Sequence, residues 1–406
     1  MKTKSIISIW ALGLLAWVNF SCEDAKNGEV DNLIYFSEAA SAKTKTLSLE
    51  EGGTTTSVTV RLARAIDTDV NVTIGLDEAL LDDFNKQNET DYKILESGKY
   101  TLSNTATIKA GSISSEPISI NIESFDTYGV QYAIPLTINS ANSGIEKAQA
   151  SSKIILFLVQ PLKQPVPKFT WYNAMRALPK EDWRMELPNY TLEWWCKITA
   201  KNGTGGFTKN NQAIFNSGGA DAEGKGIELY IRFGDLIYAE SGKYKNNFLQ
   251  VKTFGSQFDT GDPTAGYGLD AQQWYHFAIT YDAGTGVTLI YKNGEQVASL
   301  TTSAGQSMWV DKLQMISSGS EYFPDFCEMC QVRMWKTTRT GNQVKKNMYN
   351  DLDPKNPDLI LYIPMDEGEC TTLHDITGNG HDVEIGNDSS ASNATSVTWA
   401  NYTFAQ

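Results

Sequence analysis

Two stretches of the sequence carry aromatic and charged side chains at alternate positions. In Tyr190–Ile198, the residues Tyr190, Leu192, Trp194, Cys196 and Ile198 form an apolar set, and Thr191, Glu193, Trp195 and Lys197 form its complement. Ile227, Leu229, Ile231 and Phe233 likewise leave Glu228, Tyr230 and Arg232 opposite. Successive side chains of a strand point to opposite faces, so Trp195, Tyr230 and Arg232 are expected to face away from a core. They could share one platform, unless a second domain or a loop covers them. Trp309 and Tyr322, in loop-like segments, are further candidates, whereas Trp171, Tyr172 and Trp183 could equally pack the start of a domain. The chemistry such groups offer is recognition of sugars: C–H patches of the ring lie on aromatic faces, and planar donors and acceptors read hydroxyls.

Other chemistries find little support. After Cys22 the cysteines are Cys196, Cys327, Cys330 and Cys370. Cys327-Glu-Met-Cys330 has the spacing of a metal knuckle or redox motif, but a second close pair and a βαβ context are both missing. A structural disulfide or buried thiols are expected. His276, His374 and His381 are the only histidines, and neither His-x-x-x-His nor Gly-x-Ser-x-Gly occurs. His276, inside a strand-like run, reads as a framework residue. Asp366, Glu367, Asp375, Asn379 and Asp382 could supply oxygen ligands to calcium. They also suit turns, in which such side chains bond the local backbone, and turn chemistry is the preferred reading. No cofactor is expected.

These residues need elements to hold them. Lys2 and Lys4, the apolar run Ile6–Val18 and Ser21-Cys22 have the layout of a secretory leader over residues 1–21. The end of the run resembles a bacterial lipobox, with Asn19 and Phe20 in place of the usual residues, which implies acylation of Cys22. Residues 22–32 are acidic and polar, as in a flexible tether. Thr55–Leu62, Val70–Leu76, Ile118–Ile122, Ala133–Ile138 and Ile154–Val159 read as short strands, with one helical stretch at Asp77–Gln87. The set predicts an immunoglobulin-like β-sandwich over 33–160. Three prolines between Gln160 and Pro167 predict a linker over 161–167, and the remainder, 168–406, forms a second domain.

The first domain resembles a β-sandwich domain of Bacteroidetes surface lipoproteins. The resemblance lies in Leu33-Ile-Tyr-Phe36, in the run from Asp83 to Leu95, and in Gly98-Lys-Tyr-Thr-Leu102. That family also precedes endo-glycosidase modules, which implies a spacer role beside glycan-active partners. In the second domain, Gln273–Asp282 followed by Gly286–Gln296 is a strand, a turn and a second strand ending at Asn293-Gly294. With Tyr190–Ile198, Gln331–Trp335, Leu359–Gly368 and His374–His381 in order, it resembles laminin-G-like, concanavalin A-like jelly rolls. The resemblance implies an all-β chain and places Trp335 in the core. Glycosidases of that fold carry Glu-x-Asp-x-x-Glu along one strand, and no such string occurs here.

The chain has a net charge of −14, or −16 without the two lysines of the leader, and no basic stripe. Nucleic acid is thereby disfavoured as a partner, and membrane contact is expected through the lipid anchor only. The expectation is a non-catalytic, glycan-binding lipoprotein of the outer membrane, at the cell surface. It would capture oligosaccharides for neighbouring glycosidases and an outer-membrane importer. A protein-binding adhesion role and a glycoside hydrolase with an atypical acid pair are the alternatives.

Overall fold

The computed structural model describes residues 31–142, 144–177, 184–220, 226–386 and 395–404. The expected leader, Cys22, most of the tether and Trp183 lie outside the described residues. In the N-terminal half the period-2 pattern becomes strand. Val70, Val72 and Ile74 are buried along Val70–Leu76, as are Ile118, Ile120 and Ile122 along Ile118–Ile122. One sheet runs in the order Thr44–Ser48, Lys153–Val159, Tyr132–Ala141, Val70–Leu76, Thr105–Ile108, and a second joins Thr54–Val58, Ile118–Ile122 and Tyr100–Leu102. Their shared core makes this half a β-sandwich.

The helix α1 spans Glu78–Asn88, capped by Asp77, whose carboxylate accepts the Leu80 N–H at 3.1 Å. Its Leu81 packs on Ala133, Ile155 and Phe157, on the face of the sheet turned away from the sandwich core.

The proline-rich linker is a correction: Leu162–Phe169 is a strand. Pro165 and Pro167 fall on alternate positions, so their missing N–H groups face the same strand edge, and the other edge remains free to pair. Leu162–Lys168 pairs with Thr398–Phe404, and only Lys168 and Phe169 pair with Phe326–Trp335. The chain therefore enters the second domain within one of its sheets.

That domain is a two-sheet jelly roll. The first sheet has the order Glu295–Thr301, Val287–Lys292, Tyr275–Asp282, Asn189–Thr199, Phe326–Trp335, Leu162–Phe169, Thr398–Phe404. The second has the order Ser256–Asp259, Leu249–Thr253, Gly226–Phe233, Gln212–Ala220, Leu313–Met315, Met175–Ala177, Val383–Glu384, Thr372–Leu373. Trp194, Phe215, Leu229, Ile231, Phe277 and Met315 are among the fully buried side chains between them. The expected hairpin forms between Tyr275–Asp282 and Val287–Lys292, and its second strand ends in a turn at Asn293 (φ 53°) and Gly294 (φ 78°), both left-handed as this turn requires.

The outer faces of the two sheets differ. Among the described residues this domain has two further α-helices: α2, Gly319–Tyr322, and α3, Gly341–Asn347. A reciprocal box between Thr340 and Gln343 starts α3, and its Val344 packs on Ala278 and Tyr291 of the first sheet. Trp335, buried as expected, lies on this outer side with Leu352, Leu359 and Tyr362. On the second sheet, Glu228, Tyr230, Lys252, Asn216, Gln314 and Glu384 point outward and remain exposed or half-buried. We refer to the covered and the open sheet.

Candidate functional site

The open sheet concentrates recognition chemistry at one end. Leu229, Ile231 and Phe233 enter the core, so Tyr230 and Arg232 stand on the outer face. Asn211 precedes the neighbouring strand in a left-handed conformation (φ 61°), which Asn tolerates better than most residues. Its Oδ1 accepts from the Tyr230 hydroxyl at 2.9 Å and from Arg232 Nη1 at 2.8 Å. Arg232 also donates through Nε and Nη2 to Gln250 Oε1, at 2.9 and 2.7 Å, and through Nη2 to Asp235 Oδ2 at 2.5 Å. With its donors engaged and only 9% of its surface exposed, Arg232 serves to position its neighbours. Burial raises the Tyr230 phenol above its ordinary value, so its hydroxyl stays protonated at neutral pH.

The aromatic rim at this end comes from two crossovers between the sheets. The turn Trp171–Asn173 leads from the covered sheet into the open one, and α2 leads back; the two lie side by side. Thr170 fixes the turn, accepting the Tyr172 N–H at 3.3 Å while its own N–H donates to Asn173 Oδ1 at 2.9 Å. The rings of Trp171 and Tyr172 stack at 3.7 Å, and Tyr172 is 41% exposed. Tyr322, half-buried on α2, is close enough to add to the rise in the Tyr230 pKa. Beyond Arg232, Leu236, Ile237 and Tyr244 are exposed, and the Tyr238 hydroxyl donates to the Asp259 carboxylate at 3.2 Å. The end thus offers ring faces beside fixed amide and hydroxyl groups.

Of the five residues expected to bind, the structure gathers Tyr230, Arg232 and Tyr322. Trp309 is half-buried elsewhere, on Met308–Val310, with the Arg184 guanidinium 5.4 Å from its ring centre. Asp311 N donates to Gly218 O at 3.2 Å, which puts that strand at the far end of Gln212–Ala220 from Asn211. Trp195 requires a correction. It lies on the covered sheet, 4% exposed, ringed by His276, Tyr349 and Phe404. Its indole N–H donates to Met348 O at 2.6 Å, so the end of α3 seals it from solvent. Sequence reasoning missed Asn211 and Gln250, and left the Trp171–Tyr172 pair undecided. The available signals were an Asn opening a strand and the Thr170–Asn173 turn pattern.

The remaining chemical groups are structural. Cys196, Cys327 and Cys330 are buried free thiols; burial pushes Cys196 up to about 12 and Cys330 well above the ordinary thiol value. Asp375 Oδ1 accepts from Tyr362 N, Thr377 N and the Thr377 hydroxyl, and its Oδ2 accepts from His381 N. Asp382 Oδ1 accepts from Asp375 N, and Asn379 donates to Ile360 O at 3.0 Å. This is the turn chemistry expected of them, and no cluster of three metal-ligating side chains occurs among the described residues. Near the open end, Asp235 is paired with Arg232, and Asp259 accepts from Tyr238 and from Gly261 N.

Residues 176–345 match the family model of the concanavalin A-like lectin/glucanases superfamily, and residues 29–145 match the model of an N-terminal domain family. A crystal structure of a candidate carbohydrate-binding protein from Bacteroides ovatus is similar over 91% of this chain and 97% of its own, at 23% identity and a TM-score of 0.55. Bacteroides thetaiotamicron EndoBT-3987 with Man5GlcNAc product is 20% identical over 31% of this chain and 30% of its own, with a TM-score of 0.26. A SAP-like pentraxin from Limulus polyphemus is 13% identical over 44% of this chain and 82% of its own, also at 0.26. No curated protein matches the chain. What the first comparison shares with this chain, along nearly its whole length, is the fold.

Proposed function

We propose that this chain, an N-terminal β-sandwich joined to a laminin-G-type, concanavalin A-like jelly roll, is a glycan-binding protein that captures oligosaccharide without cleaving it. The observation that carries the reading is the end of the open sheet, where Tyr230 and Arg232 converge on Asn211, Tyr322 lies near Tyr230, and the turn bearing the stacked Trp171–Tyr172 pair runs beside the helix of Tyr322. Rings with fixed polar groups beside them suit the alternating C–H and hydroxyl surface of a sugar. Of the acids near that end, Asp235 and Asp259 are engaged by Arg232 and Tyr238, and Glu228 and Glu321 are exposed. The chain lacks the Glu-x-Asp-x-x-Glu string of glycosidases of this fold, which favours capture over hydrolysis. The match to a carbohydrate-binding candidate over most of both chains adds support. In this reading Cys22 carries a lipid that anchors the protein at the outer membrane, facing outward. The N-terminal sandwich then holds the jelly roll clear of the membrane, beside glycosidases and an importer.

The test is a glycan array with the chain from Asn32 onward, followed by calorimetry on any ligand found with Tyr322→Ala and Tyr230→Ala. Each substitution is expected to weaken binding at least about tenfold, roughly 1.4 kcal/mol, with the ligand recovered intact. Binding indifferent to both substitutions would remove the open end as the site. Shortened ligand would turn the reading to a hydrolase. Silence across the array would favour protein adhesion through exposed Leu236, Ile237 and Tyr244.

A further inference from the structure

A recess of about 410 Å³ lies between the two domains. The N-terminal domain contributes the segment after α1 and the loop at Gly129–Gln131; the jelly roll contributes Arg339, α3 and the loop that follows it. The two walls are held in fixed register. Gln131 Nε2 donates to Asn347 Oδ1 at 2.9 Å. Gly129 (φ 76°) approaches so closely that a Cβ there would sit 2.1 Å from the carbonyl carbon of Leu352. The recess is therefore a built feature of the domain pairing, and its volume is within the usual range for small-ligand sites.

Two of the four cations on these walls, Arg339 and Lys346, have aromatic partners where carboxylates would be expected. The Arg339 guanidinium sits 3.9 Å from the ring centre of Trp335, whose indole N–H is itself fixed at 2.7 Å on Glu193 Oε1. Among the described residues no hydrogen bond or ion pair engages the Arg339 side chain, and its Nε is buried without a partner. Glu193, Asp91 and Asp358 act on it only at a distance. Lys346 Nζ lies 4.7 Å from the ring centre of Phe84 and 5.4 Å from that of Tyr92. A partly desolvated guanidinium with open donors, set over an indole, is an arrangement that can grip a carboxylate with two parallel hydrogen bonds.

The rest of the lining narrows the ligand. Glu89, Asp91, Asp353 and Asp358 balance the cations Lys93, Arg339, Lys346 and Lys355 on the lining, so a compact, multiply charged anion meets no net positive field, while the carboxylates can accept hydrogen bonds from hydroxyls. One carboxylate on a hydroxyl-rich body satisfies both requirements. We propose that the recess between the domains binds an acidic sugar of the uronic or sialic acid class, its carboxylate on Arg339 and its hydroxyls on the surrounding acids. This site is separate from the open end of the jelly roll and does not rest on the reading of that end.

Calorimetry with galacturonate, glucuronate and N-acetylneuraminate tests it, with galactose, glucose and inorganic sulfate as comparisons, on the protein and on Arg339→Gln and Arg339→Lys. At least one acidic sugar is expected to bind at least tenfold more tightly than the neutral sugars and sulfate. Arg339→Gln is expected to abolish that preference. Arg339→Lys keeps the charge and the fold but loses the fork, and is expected to weaken the acid by a smaller factor. Equal affinity for neutral sugars, equal affinity for sulfate, no acid binding up to millimolar concentration, or an acid affinity unmoved in both variants would each overturn the proposal. None of these readouts involves Tyr230 or Tyr322, so failure here leaves the open-face reading standing, and the reverse holds too.

Discussion

The two outer faces of the jelly roll start from the same pattern and end with opposite roles. On each sheet, strand alternation sends a polar set away from the core: Glu193, Trp195, His276 and Arg333 on one, Tyr230, Arg232, Gln250 and Lys252 on the other. Across the first set lie α3 and the run to Leu352, and its charges become enclosed. Arg333 is fully buried, donating to Asn347 O at 3.0 Å, Asn350 O at 2.6 Å and Gln331 Oε1 at 2.5 Å. In the second set Tyr230 and Lys252 stay half-buried with no further layer across them, and Arg232 and Gln250, although buried, bond to each other and to Asn211 and so order that surface. Alternation says which residues leave the core; a separate segment decides whether they meet solvent or another layer.

The sharpest way to break this comparison is to cut the covered face. Trp195→Ala removes a large buried ring and orphans the Met348 carbonyl. It is expected to cost about 3–5 kcal/mol, read from urea unfolding midpoints. If Trp195→Ala left stability intact but abolished glycan binding, the two faces would have to be exchanged. Arg333→Met is expected to cost a similar amount, about 3–5 kcal/mol, because Glu193 would remain buried with its nearest guanidinium gone; its Oε1 now lies 3.9 Å from Arg333 Nη1. Adding Glu193→Met should recover much of that loss. A double variant no better than the single one would show that Glu193 is satisfied from elsewhere, with the Trp335 indole as the first candidate.

These residues also mark how far the sequence could be read. Local pattern carried the strands Val70–Leu76 and Ile118–Ile122, the helix after Asp77 and the turn at Asn293-Gly294, because period and turn chemistry act over a few residues. Tyr230 and Arg232 were legible for the same reason. The cover over Trp195 was not, since Met348 is 153 residues away and nothing near Trp195 encodes it. The strand Leu162–Phe169 was misread because prolines stop pairing on one edge only, and the sequence does not tell which edge needs its donors. Asn211 required knowledge of a left-handed backbone, which Asn favours without announcing.

A pH titration sharpens the contrast at lower energy. His276 is fully buried on the covered face with both ring nitrogens unpartnered, and burial holds its pKa well below the ordinary value of 6.5. Above pH 6.5 the imidazole is neutral in both states and contributes no pH dependence. Below it the unfolded chain takes a proton that the folded chain refuses, so stability falls as pH falls. The slope approaches about 1.4 kcal/mol per pH unit until the folded pKa is reached. His276→Gln should flatten this slope between about pH 6.5 and 5. An unchanged slope would mean that a water or a rearranged Glu193, 3.6 Å from Nε2, lets the ring protonate in place.

The smallest change tests what the open face does. Tyr230→Phe keeps the ring and removes the hydroxyl that donates to Asn211, whose Oδ1 retains the bond from Arg232. Stability should drop by no more than about 0.5–1.5 kcal/mol, since the remaining donor still satisfies the amide oxygen. If the ring face supplies the contact, affinity for an array ligand should stay within about threefold, well short of the loss expected for Tyr230→Ala. If the phenylalanine variant loses as much as the alanine variant, the hydroxyl itself reads the sugar and the ring is only its support. In that case the difference between the faces narrows, because each would depend on a polar group pinned by a buried arginine. The open face would then differ from the covered one only in what lies above it.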